Sequence, residues 1–416
     1  MKILYIIPTF QHPKVRGSDR HYHFVRELAQ RHRITLLSLQ RVDQIAPEAV
    51  QEISAWVDEL ITFKVERSAA TGVTQLLTKV PVVGKTVAEQ KAVRDSVEQM
   101  RRTFRQLARE GNFDLVLFHG KDCYPVIDGW RDLPIVIDFC DATSLRVRTK
   151  MLHVSLPQKA LLGLRYRQVR SVEKKMIQAT PHLAFISQRD RTAVLGDNSH
   201  AAVIPNGIDL DYWTRRTHSP EPKTLIFTGV MDYSPNEDAA LHLIDNILPH
   251  LRKEVPDVRV LIAGRSPTPA LQERARLHKE VVVTGFVEDM RDYLEQAAVF
   301  VAPLRYASGM QNKLQEALAM QVPVVTTSVA ANGLRVKDGQ KLPLYVADAP
   351  ESFAQRVVEL LNRPDEQTRL ATEGRQYAEA HFSWTRSATQ LEEMCIRAAG
   401  YGSFSPASGA LLPTTS

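Results

Sequence analysis

Three residues spaced four and three apart, Gly309, Lys313 and Glu316, are the strongest chemical signal in the chain. They lie in PLRYASGMQNKLQEALAMQVPVV, Pro303 to Val325. The pattern predicts a buried strand ending at Pro303, a loop, a helix opening near Gly309, and a second buried strand over Val322 to Thr326. Glycine lets the backbone come close to a ligand. The first amides of a helix have no internal partner and point outward, which favours an anion. Lys313 adds a positive charge in the first turns, and Glu316 follows on roughly the same face. An ammonium with free amides suits a diphosphate. A carboxylate a turn further suits sugar hydroxyls. The combination points to a nucleotide-sugar pocket; the plainer alternative is a strand-loop-helix unit whose charges face solvent.

Such a pocket needs a scaffold, and open α/β sheets bind ligands beyond the carboxyl ends of their strands. The sequence supplies two strand-helix series. The first opens with a strand over Met1 to Ile7, a loop containing Gly17, a helical pattern at Phe24, Val25 and Leu28, and a strand over Ile34 to Leu39. Further strands are predicted at Leu60–Phe63, Asp114–Phe118, Ile135–Asp138, His182–Ser187 and Ala201–Ile204, with a long helix over Ala88 to Arg109. The Gly17 loop is not GxGxxG, so a dinucleotide cofactor is not indicated. His119 follows directly on a strand, where polar groups do chemistry in such folds; a histidine satisfied by backbone is the alternative.

Asp211 to Lys223 reads as a linker. The second series has strands at Leu225–Thr228, Val258–Ala263, Val281–Phe286 and Leu344–Val346, around the opening stretch. Its helices are predicted at Asp238–Lys253, Ala270–Leu277 and from Asp289, where Asp289 and Asp292 have N-cap and third-residue spacing. Three more helices follow, Pro350–Leu361, Asp365–His381 and Trp384–Ala399, and the residues from 401 read as a disordered tail.

Lys150 to Ala179 reads as one long helix with an apolar stripe at Leu162, Tyr166, Val169, Val172 and Met176. Between Arg146 and Lys175 nine basic residues face one acid, Glu173. A basic amphipathic segment can rest on anionic lipid, though a solvated helix face has the same look.

At 416 residues the chain can bury two cores. A net charge of +6 fits anionic ligands or an anionic membrane surface and gives no indication of nucleic acid. Cys123, Cys140 and Cys395 fit no metal spacing, and reduced thiols point to a cytoplasmic protein, peripheral on the inner membrane face if the basic segment is used. The apolar run Ile3 to Ile7 is too short for a signal sequence, and no run has membrane-spanning length.

Several motifs resemble retaining GT-B glycosyltransferases, in particular glycosyltransferase family 4. They are VIPNGID (Val203–Asp209), TGFVEDM (Thr284–Met290), the run G-x-x-x-K-x-x-E-A-L-A-M (Gly309–Met320) and FSW (Phe382–Trp384). YRQVRSVEKKMI with FISQRDR resembles the helix and strand preceding PNGID in that family. GVMDYSPNEDA (Gly229–Ala239) resembles bacterial exopolysaccharide-locus members, including exosortase/PEP-CTERM-associated ones.

The resemblance implies a GT-B fold: two Rossmann-like domains facing across a cleft, residues 1–205 on the acceptor side and 206–381 on the donor side, with the last helix (382–400) crossing back. It implies that Glu316 bonds the donor ribose, that the backbone of Val287 reads the nucleobase, that Gly17 meets the donor phosphates and that His119 stands near the transferred sugar. Gly229, Ser308, Gly309, Met310, Gln311 and Asn312 would complete the donor site, with Asn206 a further candidate. In two places the chain departs from the family. The first Glu of its E-x7-E motif falls on Ser308, and the Arg and Lys usual after the first strand of the second domain are replaced by VMDYSPNED. Lys313 is the obvious substitute cation, with Arg265 second.

The reaction implied is sugar transfer with retention from a nucleotide-diphosphate sugar, a UDP-sugar ahead of a GDP-sugar, to a glycan or lipid-linked acceptor in bacterial polysaccharide synthesis. The protein would stabilise the departing diphosphate and position the acceptor. No cofactor and no metal are expected. The alternatives are a degenerate GT-B protein that binds sugar nucleotides without turnover, and a GT-B nucleotide-sugar epimerase.

Overall fold

The apolar runs read from the sequence become the central strands of two parallel sheets, because strands covered on both faces need side chains that can be buried on both. The computed structural model describes residues 1–13, 19–40, 47–65, 87–197, 201–216, 220–335 and 341–401. Gly17 and the predicted tail beyond Tyr401 lie outside the described residues.

The first sheet contains β1 (Lys2–Ile7), β2 (Arg33–Gln40), β3 (Glu59–Lys64), β4 (Leu115–His119), β5 (Ile135–Cys140), β6 (Leu183–Phe185) and β7 (Ala202–Val203), in the order β3-β2-β1-β4-β5-β6-β7. The second contains β8 (Thr224–Thr228), β9 (Arg259–Ala263), β10 (Val281–Gly285), β11 (Val299–Ala302), β12 (Val324–Thr326) and β13 (Tyr345–Val346), in the order β10-β9-β8-β11-β12-β13. Chain order therefore reverses beside β1, between β2 and β4, and beside β8, between β9 and β11. A reversal sends the two adjoining connections to opposite faces and leaves a crevice past the strand ends.

Two compact units emerge, each described here by itself. One comprises Met1–Asp138, Gln178–Leu183 and the residues from Ala388; the other comprises Phe139–Ile177 and Ala184–Ser387. The division does not fall at residue 205: residues 139–177 and 184–205 sort with the second unit. Hydrogen bonds account for this. The buried Asp190 carboxylate accepts the Gly309 amide at 3.0 Å, and Ser308 Oγ donates to Asp141 at 2.6 Å. From Ala388 the helix Trp384–Ala398 belongs to the first unit, where Glu392 accepts from Arg31 and pairs with His32, each at 2.7 Å.

Three helices differ from expectation. Residues 150–179 are not one helix: Thr143–Lys150 and a short turn at Met151–His153 precede the helix Leu156–Ala179. Pro157 sits at the start of that last helix, where its missing N–H costs nothing. The helix expected from Asp238 begins at Ser234, and its turn widens over Leu243–Ile247 just ahead of Pro249, which has no N–H to donate. The helix expected to open near Gly309 begins at Asn312.

Candidate active site

At the crevice of the second unit, β8 leads through Gly229–Tyr233 into the helix Ser234–His242, and β11 leads through residues 303–311 into the helix Asn312–Ala319. Lys313 joins the two connections. Its Nζ donates to Asn236 Oδ1 and lies 4.7 Å from the centre of the Phe227 ring. Asn236 in turn donates from Nδ2 to the Val230 carbonyl at 3.0 Å, which leaves its oxygen for the lysine. Gly229 makes room for this head group: a Cβ there would stand 2.6 Å from Asn236 Nδ2 and 3.0 Å from Lys313 Nζ. Burial pushes the Lys313 ammonium down to about 7, with Glu316 pulling weakly the other way. A buried cation held by a neutral amide gains strongly when an anion arrives. Asn236 was not singled out from the sequence; its signal is its place in the first turn after β8.

Gly309 has φ +66°, a left-handed conformation that suits glycine. Its amide is not directed at a ligand, as expected from the sequence, but donates to Asp190, and its carbonyl accepts from Arg189 Nη2 at 2.8 Å. Asp190 also accepts the Ala142 amide at 2.8 Å and the Ser187 hydroxyl, so it fixes the loop before the helix starts. Ser308, where a glutamate was absent, bonds the carboxylate of Asp141 instead. Met310 is packed into the apolar core, and Gln311 Nε2 donates to the Ser308 carbonyl at 3.2 Å. Asn206 Nδ2 donates to Asn312 Oδ1 at 2.9 Å while its own carbonyl accepts from Gln315 at 3.0 Å, so Asn206 braces the helix.

Glu316 is half-buried in the second turn of that helix, nearer its start than a helix opening at Gly309 would give. Arg265 follows β9, and its carbonyl accepts the Met231 amide at 2.9 Å, tying down the loop after β8. Val287 is half-buried between β10 and the helix Met290–Gln296, next to the exposed Phe286.

In the first unit, His119 ends β4 at the β1 crevice. Its Nδ1 lies 2.8 Å from the Asp138 carbonyl, an acceptor, so Nδ1 carries the proton and Nε2 presents a lone pair. The His21 ring lies 4.0 Å away between centroids, tilted by 34°, and Tyr5 OH meets His21 Nδ1. Burial lowers the pKa of both imidazoles; His119 and Arg20 lower that of His21 further, while Asp138 pulls that of His119 the other way. His21, His119 and Asp138 offer ligand atoms within 4.8 Å of one another, a grouping that spacing along the chain conceals. Arg20 holds both Asp138 oxygens, at 2.7 and 3.1 Å, so this cluster carries a cation of its own.

The sequence and the fold have counterparts in known proteins. Residues 222–363 match the family model for glycosyl transferases group 1. A phosphatidyl-myo-inositol mannosyltransferase of Mycolicibacterium smegmatis is 26% identical over 324 residues, 74% of this chain and 78% of that protein. Among solved structures, a sucrose-phosphate synthase of Thermosynechococcus elongatus superposes with a TM-score of 0.68 at 15% identity, covering 96% of this chain and 100% of the other. Anabaena HepE in complex with UDP and glucose gives 0.60 at 15% identity, covering 94% and 98%. The architecture is GT-B, with two parallel-sheet Rossmann-like domains. Among the described residues no helix is long and apolar enough to cross a membrane.

Proposed function

We propose that the protein transfers a hexose, with retention, from a nucleoside diphosphate sugar to a glycan or lipid-linked acceptor in bacterial polysaccharide synthesis. The observation that carries the reading is the buried Lys313 ammonium, held by a neutral amide at the reversal of the second sheet with Glu316 three residues on. As the donor bond breaks, negative charge grows on the departing diphosphate. A lysine already desolvated and fixed there, and held protonated once the diphosphate is bound, stabilises that charge. Glu316 would accept hydroxyls of the donor ribose, and the backbone at Val287 would meet the base. In the first unit, the lone pair of His119 Nε2 is assigned to a substrate hydroxyl. Of the relatives, one is named as a mannosyltransferase acting on phosphatidyl-myo-inositol and one is solved with UDP and glucose, which supports a hexose donor and admits a lipid-linked acceptor. A UDP-sugar is placed first and a GDP-sugar second.

The test is a thermal-shift screen of UDP- and GDP-sugars, because a ligand that binds only the native state raises the melting temperature. It is followed by chromatography of the nucleoside diphosphate released with glycan and polyprenyl-phosphate-linked acceptors. Release that depends on the acceptor, with the donor's anomeric configuration kept in the product by NMR, is expected. Binding without release from any acceptor would make it a sugar-nucleotide-binding protein.

A further inference from the structure

The loop after β8 carries no basic residue between Gly229 and Asp238, yet two cations reach it from elsewhere in the same unit. Both come from the helix Thr143–Lys150, four residues apart and so on one face. Arg146 Nη1 donates to Tyr233 OH at 2.7 Å, and Lys150 Nζ donates to Ser234 Oγ at 2.6 Å. These two acceptors are the last loop residue and the first residue of the helix Ser234–His242. Two residues further, in the same first turn, Asn236 holds Lys313. The nearby acids are partly engaged. Asp238 is bonded by Arg305, and Asp141 accepts from Ser308 and lies 3.7 Å from Arg146. Neutral hydroxyls are the closest partners of Arg146 and Lys150, as a neutral amide is of Lys313. Burial lowers the pKa of Lys150, which an arriving anion would reverse.

From this arrangement we infer that Arg146 and Lys150 form a diphosphate-binding pair, using their contacts with Tyr233 and Ser234 to stand beside the first turn of the helix Ser234–His242. This rests on the proposed function for the identity of the anion and extends it to two residues of the basic segment, for which the sequence left a lipid surface and a solvated face open. Arg146 supplies a planar fork for phosphate oxygens and Lys150 a point charge. The ligand class is a nucleoside diphosphate or its sugar ester.

The experiment titrates the parent, Arg146→Gln, Lys150→Gln and Arg146→Lys with inorganic pyrophosphate, UDP and GDP by calorimetry, each variant checked for an unchanged melting curve. The expected result is a loss of about tenfold in affinity for pyrophosphate and for the preferred nucleotide in each Gln variant, partly restored in Arg146→Lys, as for one lost charged hydrogen bond. Should Arg146→Gln fail to fold, Lys150→Gln and Arg146→Lys still decide. Gln variants that bind the nucleotide as the parent does would overturn the inference and leave the proposed function standing. Pyrophosphate bound through both residues, with no nucleotide bound, would uphold the cation pair and sink the proposed function. A parent that binds neither pyrophosphate nor nucleotide overturns both.

Discussion

Lys313 Nζ and Asn236 Oδ1 are bonded between the first turns of the two helices that flank the reversal of the second sheet. The lysine reaches this position because Gly229 has no side chain and because Phe227, at the end of β8, offers its ring as a floor. An amide can orient an ammonium but cannot neutralise it. The crevice therefore acquires its full positive charge as an anion arrives and holds the lysine proton.

That relationship gives a pH-dependent prediction. The Lys313 ammonium titrates near 7 when folded, while an unfolded lysine titrates near 10.4. Between those values the unfolded chain holds the extra proton, so stability rises with pH through this window. Relative to Lys313→Met, the parent should gain stability in urea melts from pH 7 to 9. Diphosphate binding should have the opposite sign, since an anion raises the lysine pKa. Calorimetry at pH 8 in two buffers of different ionisation enthalpy should register proton uptake with UDP or GDP, and uptake should vanish in Lys313→Met. Equal uptake in both proteins would remove Lys313 from the phosphate site.

His119→Ala is expected to lower turnover more than donor affinity, because its Nε2 is assigned to a substrate hydroxyl and not to the diphosphate. Acid should act on the first unit as well. His21 and His119 stay neutral when folded and would protonate near 6.5 when unfolded, so stability should fall as pH drops through that value. Steady-state kinetics that show donor affinity and turnover falling together would return His119 to a structural role.

Asp190 holds the Gly309 amide, the Ala142 amide and the Ser187 hydroxyl while fully buried. Asp190→Ala would strand two buried N–H groups, at roughly 1–3 kcal/mol each. The melting temperature should drop by several degrees, and donor affinity should fall with it because the loop before Lys313 is released. A melting curve like the parent's would show that this loop keeps its shape without Asp190.

Much of this was legible in the chain. The buried strands are continuous apolar runs, and β1 to β13 fall close to where those runs lie. Gly309, Lys313 and Glu316 announce themselves by spacing. Asn236 and Asp190 do not, because each acts through a partner far along the chain, 77 residues on for Asn236 and 119 for Asp190. The same limit hid Arg146 and Lys150, whose charges count toward a basic segment in sequence but approach Tyr233 and Ser234 in space. The helix start at Gly309 was misplaced because a glycine at a strand-to-helix turn looks the same whether its amide serves a ligand or a buried carboxylate.

For what is left of the basic segment we propose an anionic lipid surface as the partner. Leu152, Leu156 and Leu164 are 73%, 80% and 59% exposed, with Arg165 and Arg167 exposed nearby. Exposed leucines beside basic residues are the composition that beds into anionic headgroups. The parent should sediment with phosphatidylglycerol vesicles at low salt and with phosphatidylcholine vesicles far less. The triple variant Leu152→Ser, Leu156→Ser, Leu164→Ser should lose most of that binding while keeping donor affinity. Equal sedimentation of the variant would limit the interaction to charge alone.

Glu316 carries the sharpest test. It is half-buried in the second turn of the helix that starts at Asn312, three residues beyond Lys313. With Lys313 proposed for the diphosphate, a carboxylate on the next turn is assigned to the sugar next to the phosphates, the donor ribose. A carboxylate accepts from both hydroxyls of a ribose diol, and charge-assisted bonds are the stronger kind. Glu316→Gln keeps the shape but replaces one acceptor oxygen by an NH₂, so one hydroxyl loses its partner. The loss of a charged hydrogen bond there costs roughly 1.5–3 kcal/mol, on the order of ten- to a hundredfold in affinity. The cost should be large for UDP and shrink sharply for 2′-deoxy-UDP, which has only one of the two hydroxyls, with GDP and 2′-deoxy-GDP used if the protein prefers guanine. Titration of parent and variant with each pair decides the matter. A variant that binds both members as the parent does would leave Glu316 an ordinary helix-face residue, and an equal loss with both would exclude the ribose diol as its partner.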